Sequence, residues 1–450
     1  MQDEAEKQAY PSRRYAWWLV VLLTIAYVFS FTDRIIISLL VEPIKADLNL
    51  SDAEIGLLLG PAFAIFYATM GLPFGWLADR WRRTWIVGAG ILVWSMATLA
   101  CGLARNFTQL FVARMTVGIG EATLSPCATS MMADSFPPER RGKPIAVYSM
   151  GIVLGSSAAF LIGAVFIELS QRVSVLSFPL VGELAPWQIV FVALGIAGIL
   201  PALPFFFWRE PPRIAVQADA NALSGTGLPD MLRYVAKHWP VYVTFVSLMC
   251  AMTTIVYATS TGFNAALFSR TYGWPAEKFA LYNGILTLPL GLSTYALAGW
   301  ASDRWTRRGR RDAPLIIMCI GAVIMVPLYA AMPLMPNGWA AFIVLNAGGI
   351  GVGMMSAVSV TALLNITPDA VRAQLIALYY MTISLTGLFL GPTTVGYLSA
   401  KVFGEENLNL AMAVLPVIFG VVPLLLIPVT RRLYLVHMRR LDSTVEPDGY

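Results

Sequence analysis

Long apolar runs separated by short polar stretches repeat along almost the whole chain. A helix that crosses a membrane needs about 20 largely apolar residues, and twelve runs reach about that length. They cover residues 17–40, 54–78, 84–104, 108–134, 143–168, 188–208, 241–268, 280–301, 313–333, 338–366, 372–400 and 409–430, numbered here as spans 1 to 12. The pattern predicts an all-α polytopic membrane protein of twelve transmembrane helices whose two termini lie on the same side.

The longest polar stretch, residues 209–240, predicts a linker between an N-terminal six-helix bundle (1–208) and a C-terminal six-helix bundle with a tail (241–450). The two halves resemble each other, because GWLADRW at 75–81 recurs as GWASDRW at 299–305, each at the end of the second span of its half. GIG also occurs at both 118–120 and 349–351. Two six-span repeats are typical of a secondary transporter, whose substrate site is expected between the repeats near the membrane midplane.

Composition agrees with a membrane location. Hydrophobic residues make up 57% of the 450 residues and charged residues only 13%, against about 25% charged in soluble domains. The net charge of +5 comes from Lys and Arg clusters such as DRWRR at 79–83 and DRWTRRGRR at 303–311, which lie on alternate loops. This bias predicts cytoplasmic termini, and it explains the basic charge better than nucleic-acid binding does. The compact loops favour a bacterial inner membrane.

The first loop motif, GWLADRWRR at residues 75–83, resembles that of the major facilitator superfamily, which normally reads G-x-x-x-D-R-x-G-R-R. It departs from that motif at Arg82, where a glycine is usual. The resemblance covers nearly the whole chain and implies the fold of that superfamily. It also implies a latch between the two halves on the cytoplasmic side, made by charged residues of the loop and of its second copy. These residues are Asp79, Arg80, Arg83, Asp303 and Arg304. The alternative is that these charges serve membrane topology alone.

Glycines predict where helices approach each other closely, because a missing side chain lets two backbones touch. The positions concerned are Gly75 with Gly299 in the loop motifs, Gly151 with Gly155 in span 5, and Gly387 with Gly391 in span 11. We expect close crossings at these positions and place those of spans 5 and 11 at the interface between the halves. Simple tight packing explains them about as well.

Four charged residues stand clearly inside the apolar spans, all in the N-terminal half: Asp33, Arg34, Arg114 and Glu121. A charge at the centre of a bilayer costs at least about 2.5 to 3.5 kcal/mol and normally faces a cavity or another charge. Asp33 and Arg114 each lie about seven residues, or ~10 Å, from the outer ends of their spans. Glu121 lies two helical turns deeper than Arg114 on the same face. We therefore expect a column of charges between spans 1 and 4.

The column predicts coupling to protons. A carboxylate removed from water beside a guanidinium can release or take up a proton when the guanidinium moves, whereas arginine keeps its charge. Asp33 and Glu121 are therefore the predicted titrating groups, and Arg114 is their modulator. Arg34 is either a substrate counter-ion or a second latch. The alternative is a static ion-pair network that holds spans 1 and 4 together.

Two patterns narrow the family resemblance. Span 1 carries YxxxxxDR (Tyr27, Asp33, Arg34) and span 4 carries RxxxGxxEA at residues 114–122. Together they resemble the spinster branch of the superfamily, whose members export sphingoid phosphates or lysophospholipids, several with proposed proton coupling. The resemblance implies an amphipathic, anionic or lipid-like substrate. A carrier of a drug, a sugar or a small organic anion is the alternative, because transporter folds change cargo through few residues.

The C-terminal half has no charge at membrane depth. Polar and aromatic residues stand there instead, and the predicted substrate contacts are Arg34, Tyr27, Tyr257, Asn346, Tyr379 and Tyr380. Each of the uncharged residues also fits an ordinary contact between helices. A charged face in one half and a neutral aromatic face in the other suit an amphipathic substrate with an anionic head.

No motif for an enzyme, a nucleotide or a metal occurs in a plausible context. The only histidines, His238 and His437, lie near cytoplasmic loops and are expected to be unpaired, and the four cysteines lie singly in apolar runs. The sequence therefore predicts no enzymatic activity, no cofactor and no metal. The expected partners are the solute, protons and membrane lipids, and the family resemblance implies a monomer. A membrane receptor is disfavoured, because it would leave the repeat and the buried charges without a use.

Overall fold

The computed structural model describes residues 10–137, 140–171, 176–178, 182–213, 228–368 and 371–445. Helices dominate these residues, because in an apolar solvent a helix satisfies its own backbone hydrogen bonds. The N-terminal half contains α1 (Arg13–Leu39), α2 (Val41–Leu48), α3 (Asp52–Leu59), α4 (Pro61–Arg80), α5 (Arg83–Gly102), α6 (Phe107–Glu121), α7 (Leu124–Ser135), α8 (Gly142–Gln171), α9 (Pro186–Ile199) and α10 (Leu203–Phe207). A 3-10 turn, Leu200–Ala202, joins the last two.

The C-terminal half contains a similar series of helices. They are α11 (Leu228–Lys237), α12 (Trp239–Ala258), α13 (Asn264–Tyr272), α14 (Ala276–Arg307), α15 (Ala313–Ala331), α16 (Gly338–Leu364), α17 (Arg372–Tyr397), α18 (Leu408–Leu425) and α19 (Ile427–Val445). Short 3-10 or π-helical segments extend or connect them at Thr259–Phe263, Met332–Leu334, Leu398–Phe403 and Glu405–Asn407.

The sequence repeat is visible in how equivalent helices begin. The Asn106 side chain accepts a hydrogen bond from the Gln109 amide at the start of α6 (2.9 Å), and Asn337 accepts one from the Ala340 amide at the start of α16 (2.9 Å). Asparagine is among the best residues for this capping position. The two halves thus start their fourth spans in the same way.

The predicted spans are confirmed as helices, with interruptions that include Gly60 in span 2, Gly262 in span 7 and a longer break in span 4. Eleven helical segments among the described residues are long and apolar enough to cross a membrane, and they correspond to every predicted span except the fourth. Span 4 is divided into α6 and α7, which are separated by Ala122 and Thr123. Pro126 explains the break, because it has no amide hydrogen to donate to the Ala122 carbonyl and its ring crowds that carbonyl.

A short β-hairpin modifies the all-helical expectation. Strand β1 (Leu176–Phe178) pairs antiparallel with β2 (Gly182–Leu184), between α8 and α9. Gly182 has φ of +78°, a conformation that side-chain-bearing residues rarely adopt. The fold is therefore helical with one two-stranded addition in the loop after span 5.

Contacts divide the chain into two compact units. The first unit comprises residues 1–222, 264–269 and 274–288, and the second comprises 223–263, 270–273 and 289–450. In the first unit α1 packs on α8, and α5 packs on both α6 and α9. In the second unit α12 packs on α17, and α15 packs on both α16 and α18. Equivalent spans therefore pack in the same order in both units, as expected for a structural repeat.

The glycines of spans 5 and 11 allow close crossings of α8 with α1 and of α17 with α12. A Cβ atom added at Gly155 would lie 2.7 Å from the Val28 carbonyl oxygen of α1, and one at Gly391 would lie 2.6 Å from the Thr254 carbonyl oxygen of α12. Both crossings lie inside a unit, so their expected place at the interface between halves is wrong. The approach expected at Gly75 and Gly299 is not found either, because a Cβ atom at these positions would meet nothing within 4 Å among the described residues.

Candidate functional site

The charged residues of α1 lie in the interior of the first unit. Asp33 and Arg34 are each only 5% exposed, and most of the residues around them in α1 are also buried. Adjacent residues on a helix point about 100° apart. Asp33 therefore faces α5, whereas Arg34 faces α4 and α6, and the two charges belong to different sets of contacts.

Arg34 forms an ion pair with Glu121. Its Nη2 atom donates to Glu121 Oε2 at 2.6 Å, and the Ser30 hydroxyl donates to the same oxygen at 2.6 Å. The guanidinium carbon also lies 4.5 Å from the ring centroid of Phe63 and 4.7 Å from those of Phe31 and Tyr67. Buried cations gain from such ring faces when water is excluded. Arg34 is thus held by one carboxylate and three aromatic rings, all within the first unit.

Asp33 faces the inner helices of the same unit. The Thr98 hydroxyl donates to Asp33 Oδ2, and Asp33 Oδ1 is buried without a hydrogen-bond partner among the described residues. A cavity of about 10 Å³ adjoins this carboxylate and is lined by Ser95 of α5 and Gly198 of α9. One water molecule needs about this much space, and the Ser95 hydroxyl beside the cavity also has no partner among those residues. The site can therefore accept a single water between two polar groups.

Arg114 completes the cluster. It is 1% exposed, and its Nε and Nη1 atoms have no hydrogen-bond partner among the described residues. Buried polar groups are nearly always paired, so a buried guanidinium with unused donors is exceptional. The structure brings the four predicted charges together, but Glu121 pairs directly with Arg34.

Aromatic residues continue this cluster along α1. Tyr27 stacks on Tyr148 of α8, with ring centroids 4.4 Å apart, and meets Phe31 edge-on at 5.1 Å. Tyr27 is half-buried, whereas Tyr148 is fully buried. The predicted substrate contact at Tyr27 therefore belongs to the same group of residues that surrounds Arg34.

The candidates in the second unit are less closely grouped. Tyr379 is buried and lies 5.4 Å from the exposed Tyr380, measured between ring centroids. Asn346 donates to the Phe342 carbonyl of its own helix at 2.8 Å. The Tyr257 ring packs where a side chain at Gly387 would have to lie. Of the predicted substrate contacts in the second unit, Tyr379 and Tyr380 on α17 are therefore the two that contact each other.

The loop motif of the first half is organised around Arg83. This residue is buried, and it donates to Asp134 Oδ2, to Glu210 Oε1 (2.9 Å), to the Ser130 hydroxyl (2.8 Å) and to the Pro211 carbonyl (3.2 Å). All of these partners belong to the first unit. Arg83 therefore joins the start of α5, the end of α7 and the segment after α10.

The other predicted latch residues are more exposed. Arg80 lies over the Trp76 ring at 4.0 Å and Arg304 lies over the Trp300 ring at 5.4 Å, so both copies of the motif use the same spacing. Asp303 is exposed. The side chain of Asp79 lies outside the part of the chain that the structure describes.

The two histidines contact each other, so the expectation that they are unpaired is wrong. The ring centroids of His238 and His437 are 4.7 Å apart. His437 Nε2 lies 3.0 Å from the Tyr234 hydroxyl and 3.2 Å from the Ile366 carbonyl oxygen. This contact ties α11 and α19 to the end of α16 within the second unit. A separation of 199 residues gave no sequence signal for it.

Several residues of the site were not predicted. They are Ser30, Phe63, Tyr67, Thr98, Asp134, Tyr148 and Glu210. Hydroxyl and aromatic side chains are common in membrane helices, so their presence alone marks no site. Asp134 did carry a signal, because it lies at the end of an otherwise apolar span. No group of three or more His, Cys, Asp or Glu side chains that could hold a metal occurs among the described residues.

Two packed units of repeated helices, interrupted helices and a buried charge cluster are typical of a membrane transporter of the secondary type. The family model described as "Major Facilitator Superfamily" matches residues 23–348, and "Sugar (and other) transporter" matches residues 291–446. The chain belongs to the major facilitator superfamily.

Relatives with different cargoes are similar to this chain. An "MFS-type efflux pump" of Mycolicibacterium smegmatis is 28% identical over 407 residues, covering 89% of both chains. The hexuronate transporter of Bacillus subtilis is 26% identical and covers 75% of both chains. "Protein spinster" of Drosophila melanogaster is 23% identical over 72% of this chain and 52% of its own length.

The solved structures include a bacterial homologue of the human lysosomal transporter spinster in an inward-facing, unoccupied conformation. It is 26% identical, has a TM-score of 0.77, and the match covers 95% of this chain and 98% of that one. A D-xylose–proton symporter shares the fold, with a TM-score of 0.69 and 19% identity. The resemblance to spinster proteins that the span patterns indicate is confirmed.

Proposed function

We propose that this protein is a proton-coupled secondary transporter of an amphipathic solute with an anionic head. The observation that carries the proposal is the buried cluster in which Arg34 pairs with Glu121 while Nε and Nη1 of Arg114 have no hydrogen-bond partner among the described residues. A static structural network is expected to satisfy all its buried polar groups. A cluster that exchanges partners during a transport cycle leaves some of them unsatisfied in any one state.

In the proposed cycle Glu121 and Asp33 exchange protons and Arg114 changes partner between them. A proton on Glu121 neutralises the carboxylate that holds Arg34. The guanidinium of Arg34 then binds the anionic head of the solute. Loss of the proton restores the ion pair and weakens solute binding. The Glu121 carboxylate and the anionic head compete for Arg34, which couples proton uptake to solute binding and proton loss to solute release without a rigid mechanical link.

The proposed solute fits the distribution of polar groups. Arg34 supplies a bidentate donor for phosphate or carboxylate, and Tyr27 with Tyr148 supplies flat apolar surface beside it. In the second unit Tyr379 and Tyr380 supply aromatic surface without charge, with Tyr257 and Asn346 as further contacts. The similarity to spinster proteins agrees with a lipid-like solute of this kind.

A small organic anion is the second candidate. The hexuronate transporter of Bacillus subtilis is similar over 75% of the chain, and a hexuronate carries the carboxylate that Arg34 can bind. The aromatic surface beside Arg34 favours the lipid-like solute, because a hexuronate has no apolar tail to cover it.

The remaining features complete the proposal. The two bundles, 1–208 and 241–450, alternate access around this site with both termini in the cytoplasm, in a bacterial inner membrane and as a monomer. Charged loop residues act as the cytoplasmic latch; they are Asp79, Arg80, Arg83, Asp303 and Arg304, with Gly75 at the start of the motif. Arg83 is buried, and its hydrogen-bond partners in the arrangement described here all lie in the first unit.

Transport by purified protein in liposomes tests the proposal. The probes are a fluorescent lysophosphatidylglycerol and radiolabelled glucuronate, each measured with and without an imposed pH gradient. Asp33→Asn and Glu121→Gln should reduce gradient-driven transport to the level of empty liposomes, whereas Glu183→Gln, an exposed acid of the hairpin, should behave as wild type. Transport of glucuronate alone selects the second candidate, and wild-type rates in both acid variants contradict proton coupling through these residues.

A further inference from the structure

A groove runs along the surface of the first unit between α5 and α6. Its volume is about 870 Å³, and apolar side chains form most of its lining. Three alanines, Ala97, Ala104 and Ala113, form its buried floor. Met96 (54% exposed) and Val112 (52% exposed) stand on its two sides. Small residues on the floor and larger ones on the rims make the surface concave.

The length of the groove matches one leaflet of a bilayer. Its lining extends along α5 from Leu92 to Ala100, which corresponds to about 12 Å at 1.5 Å per residue, and continues beyond the end of the helix to Ala104. The hydrocarbon core of a membrane is about 30 Å thick, so one leaflet measures about 15 Å. A single acyl chain therefore fills the groove from the membrane surface to near the midplane.

The end of the groove near the connection between α5 and α6 is polar and preorganised. Arg105 and Gln109 line this end, and the Arg105 amide donates to Gln109 Oε1 at 2.7 Å. The Gln109 amide in turn donates to the Asn106 side chain. These contacts fix the backbone from which the exposed Arg105 side chain projects. A guanidinium can donate two parallel hydrogen bonds to a phosphate, which gives this end a preference for an anionic head group.

We propose that this groove binds an anionic phospholipid, with one acyl chain between α5 and α6 and its phosphate on Arg105. The charge of Arg105 selects this occupant over a neutral lipid. With cytoplasmic termini, the lipid belongs to the outer leaflet. The inference does not depend on proton coupling or on the identity of the transported solute.

The position of the lipid gives it an effect on the charge cluster. Ala97 and Ala113 form the groove floor, and the residues next to them in sequence are Thr98, which donates to Asp33, and Arg114. A bound chain packs against the helices that carry both of these groups. Because a ligand stabilises the state that binds it, the lipid holds α5 and α6 in the arrangement seen here.

The experiment measures lipid retention by native mass spectrometry. Protein purified in detergent is incubated with equal amounts of phosphatidylglycerol and phosphatidylcholine of the same acyl composition. Ala100→Phe fills the groove at an exposed lining position, and Ala89→Phe makes the same change at an exposed position of α5 outside the groove. Arg105→Gln removes the proposed phosphate contact, and Lys401→Gln removes an exposed positive charge elsewhere.

Wild type, Ala89→Phe and Lys401→Gln should retain phosphatidylglycerol in preference to phosphatidylcholine. Ala100→Phe and Arg105→Gln should retain about tenfold less phosphatidylglycerol, which corresponds to about 1.4 kcal/mol of binding free energy. Phosphatidylglycerol should also raise the melting temperature of wild type and of the two controls, and have less effect on the groove variants.

Three results overturn the proposal. The first is equal phosphatidylglycerol retention by all variants. The second is equal retention of the two lipids by wild type, which would mean that only an acyl chain is recognised. The third is displacement of the lipid by the transported solute, which would place the groove on the solute's own path. Failure of proton coupling leaves these predictions unchanged.

Discussion

The two units contain the same helix packing but different chemistry. The crossing of α1 with α8 in the first unit corresponds to that of α12 with α17 in the second, and each depends on glycine. At 231 positions after Arg114 and Glu121 the second half carries Leu345 and Val352, so the charges have no counterparts there. The glycine crossings are therefore common to both units, whereas the buried charges are a feature of the first unit.

The fourth spans of the two halves differ in the same way. Pro126 interrupts span 4, whereas the residue 231 positions later is Ala357, and α16 runs unbroken from Gly338 to Leu364. The break in span 4 lies directly after Glu121, which is the last residue of α6. Irregular backbone at membrane depth is tolerated only where protein or a water-filled cavity surrounds it.

The largest expected effect comes from removing one side of the buried ion pair. Arg34→Ala leaves Glu121 charged, buried and without its cation, which should cost about 3 to 5 kcal/mol of unfolding free energy. Arg34→Ala/Glu121→Gln should recover a large part of this loss but no transport. Equilibrium unfolding in detergent measures both variants. Equal loss in the single and double variants contradicts the pairing seen between α1 and α6.

The ion pairs at the start of α5 in the first unit and at the start of α15 in the second should differ in strength. Arg83 is buried beside Asp134 and Glu210, so Arg83→Ala should cost about 3 kcal/mol. Arg431 pairs with Asp312 at 2.9 Å, but its side chain is 50% exposed, so Arg431→Ala should cost less than about 1 kcal/mol. The same unfolding assay compares them. A loss at Arg431 as large as that at Arg83 removes the distinction between the two ion pairs.

The proline of span 4 can be removed from the first half, and a proline can be introduced at the equivalent position of the second half. Pro126→Ala supplies an amide that can donate to the Ala122 carbonyl, so we expect slower hydrogen exchange around residues 122–126 and slower transport in a folded protein. Ala357→Pro should disturb α16 and lower stability by about 3 kcal/mol, because no break is accommodated there. Unchanged transport in Pro126→Ala contradicts a role for the break in the cycle.

The smallest effect is a pH dependence confined to the second unit. Burial of the ring, followed by the neighbouring His238, holds the pKa of His437 below its usual value, and Arg440 acts in the same direction. Tyr234 and Tyr242 also face this ring. The unfolded chain therefore binds more protons at mildly acidic pH. The stability contribution is complete above pH ~6.5 and is lost as the pH falls from there toward the lowered folded value.

His437→Gln provides the control for this pH effect. The melting temperature of wild type should decrease between about pH 7 and pH 5 more than that of the variant. Parallel curves for the two proteins contradict the assignment to the histidine contact.

Much of this architecture follows from the sequence, because hydropathy and a repeated motif report directly on spans and symmetry. The four charges are also predictable from the sequence, since they lie inside otherwise apolar spans. Their pairing is not, because it depends on how each helix is rotated about its axis. Arg34 meets Glu121 and Asp33 meets Thr98 for this reason. The break in span 4 was not predicted, because proline alone does not mark one: Pro289, Pro327 and Pro392 lie inside continuous helices. The contact between His238 and His437 depends on the docking of α11 and α19.

The close glycine crossings also have a consequence for mutational tolerance. At Gly155 and Gly391 an added Cβ atom would meet backbone carbonyl oxygens, which cannot move aside as a flexible side chain can. In a library of all single substitutions, these two positions should reject every side chain when variants are selected only for membrane insertion. Asp33 and Glu121 should tolerate neutral substitutions under that selection and fail only when transport is required. Divergence within such proteins is therefore expected to be rapid at the charges and slow at the glycines whenever the cargo changes.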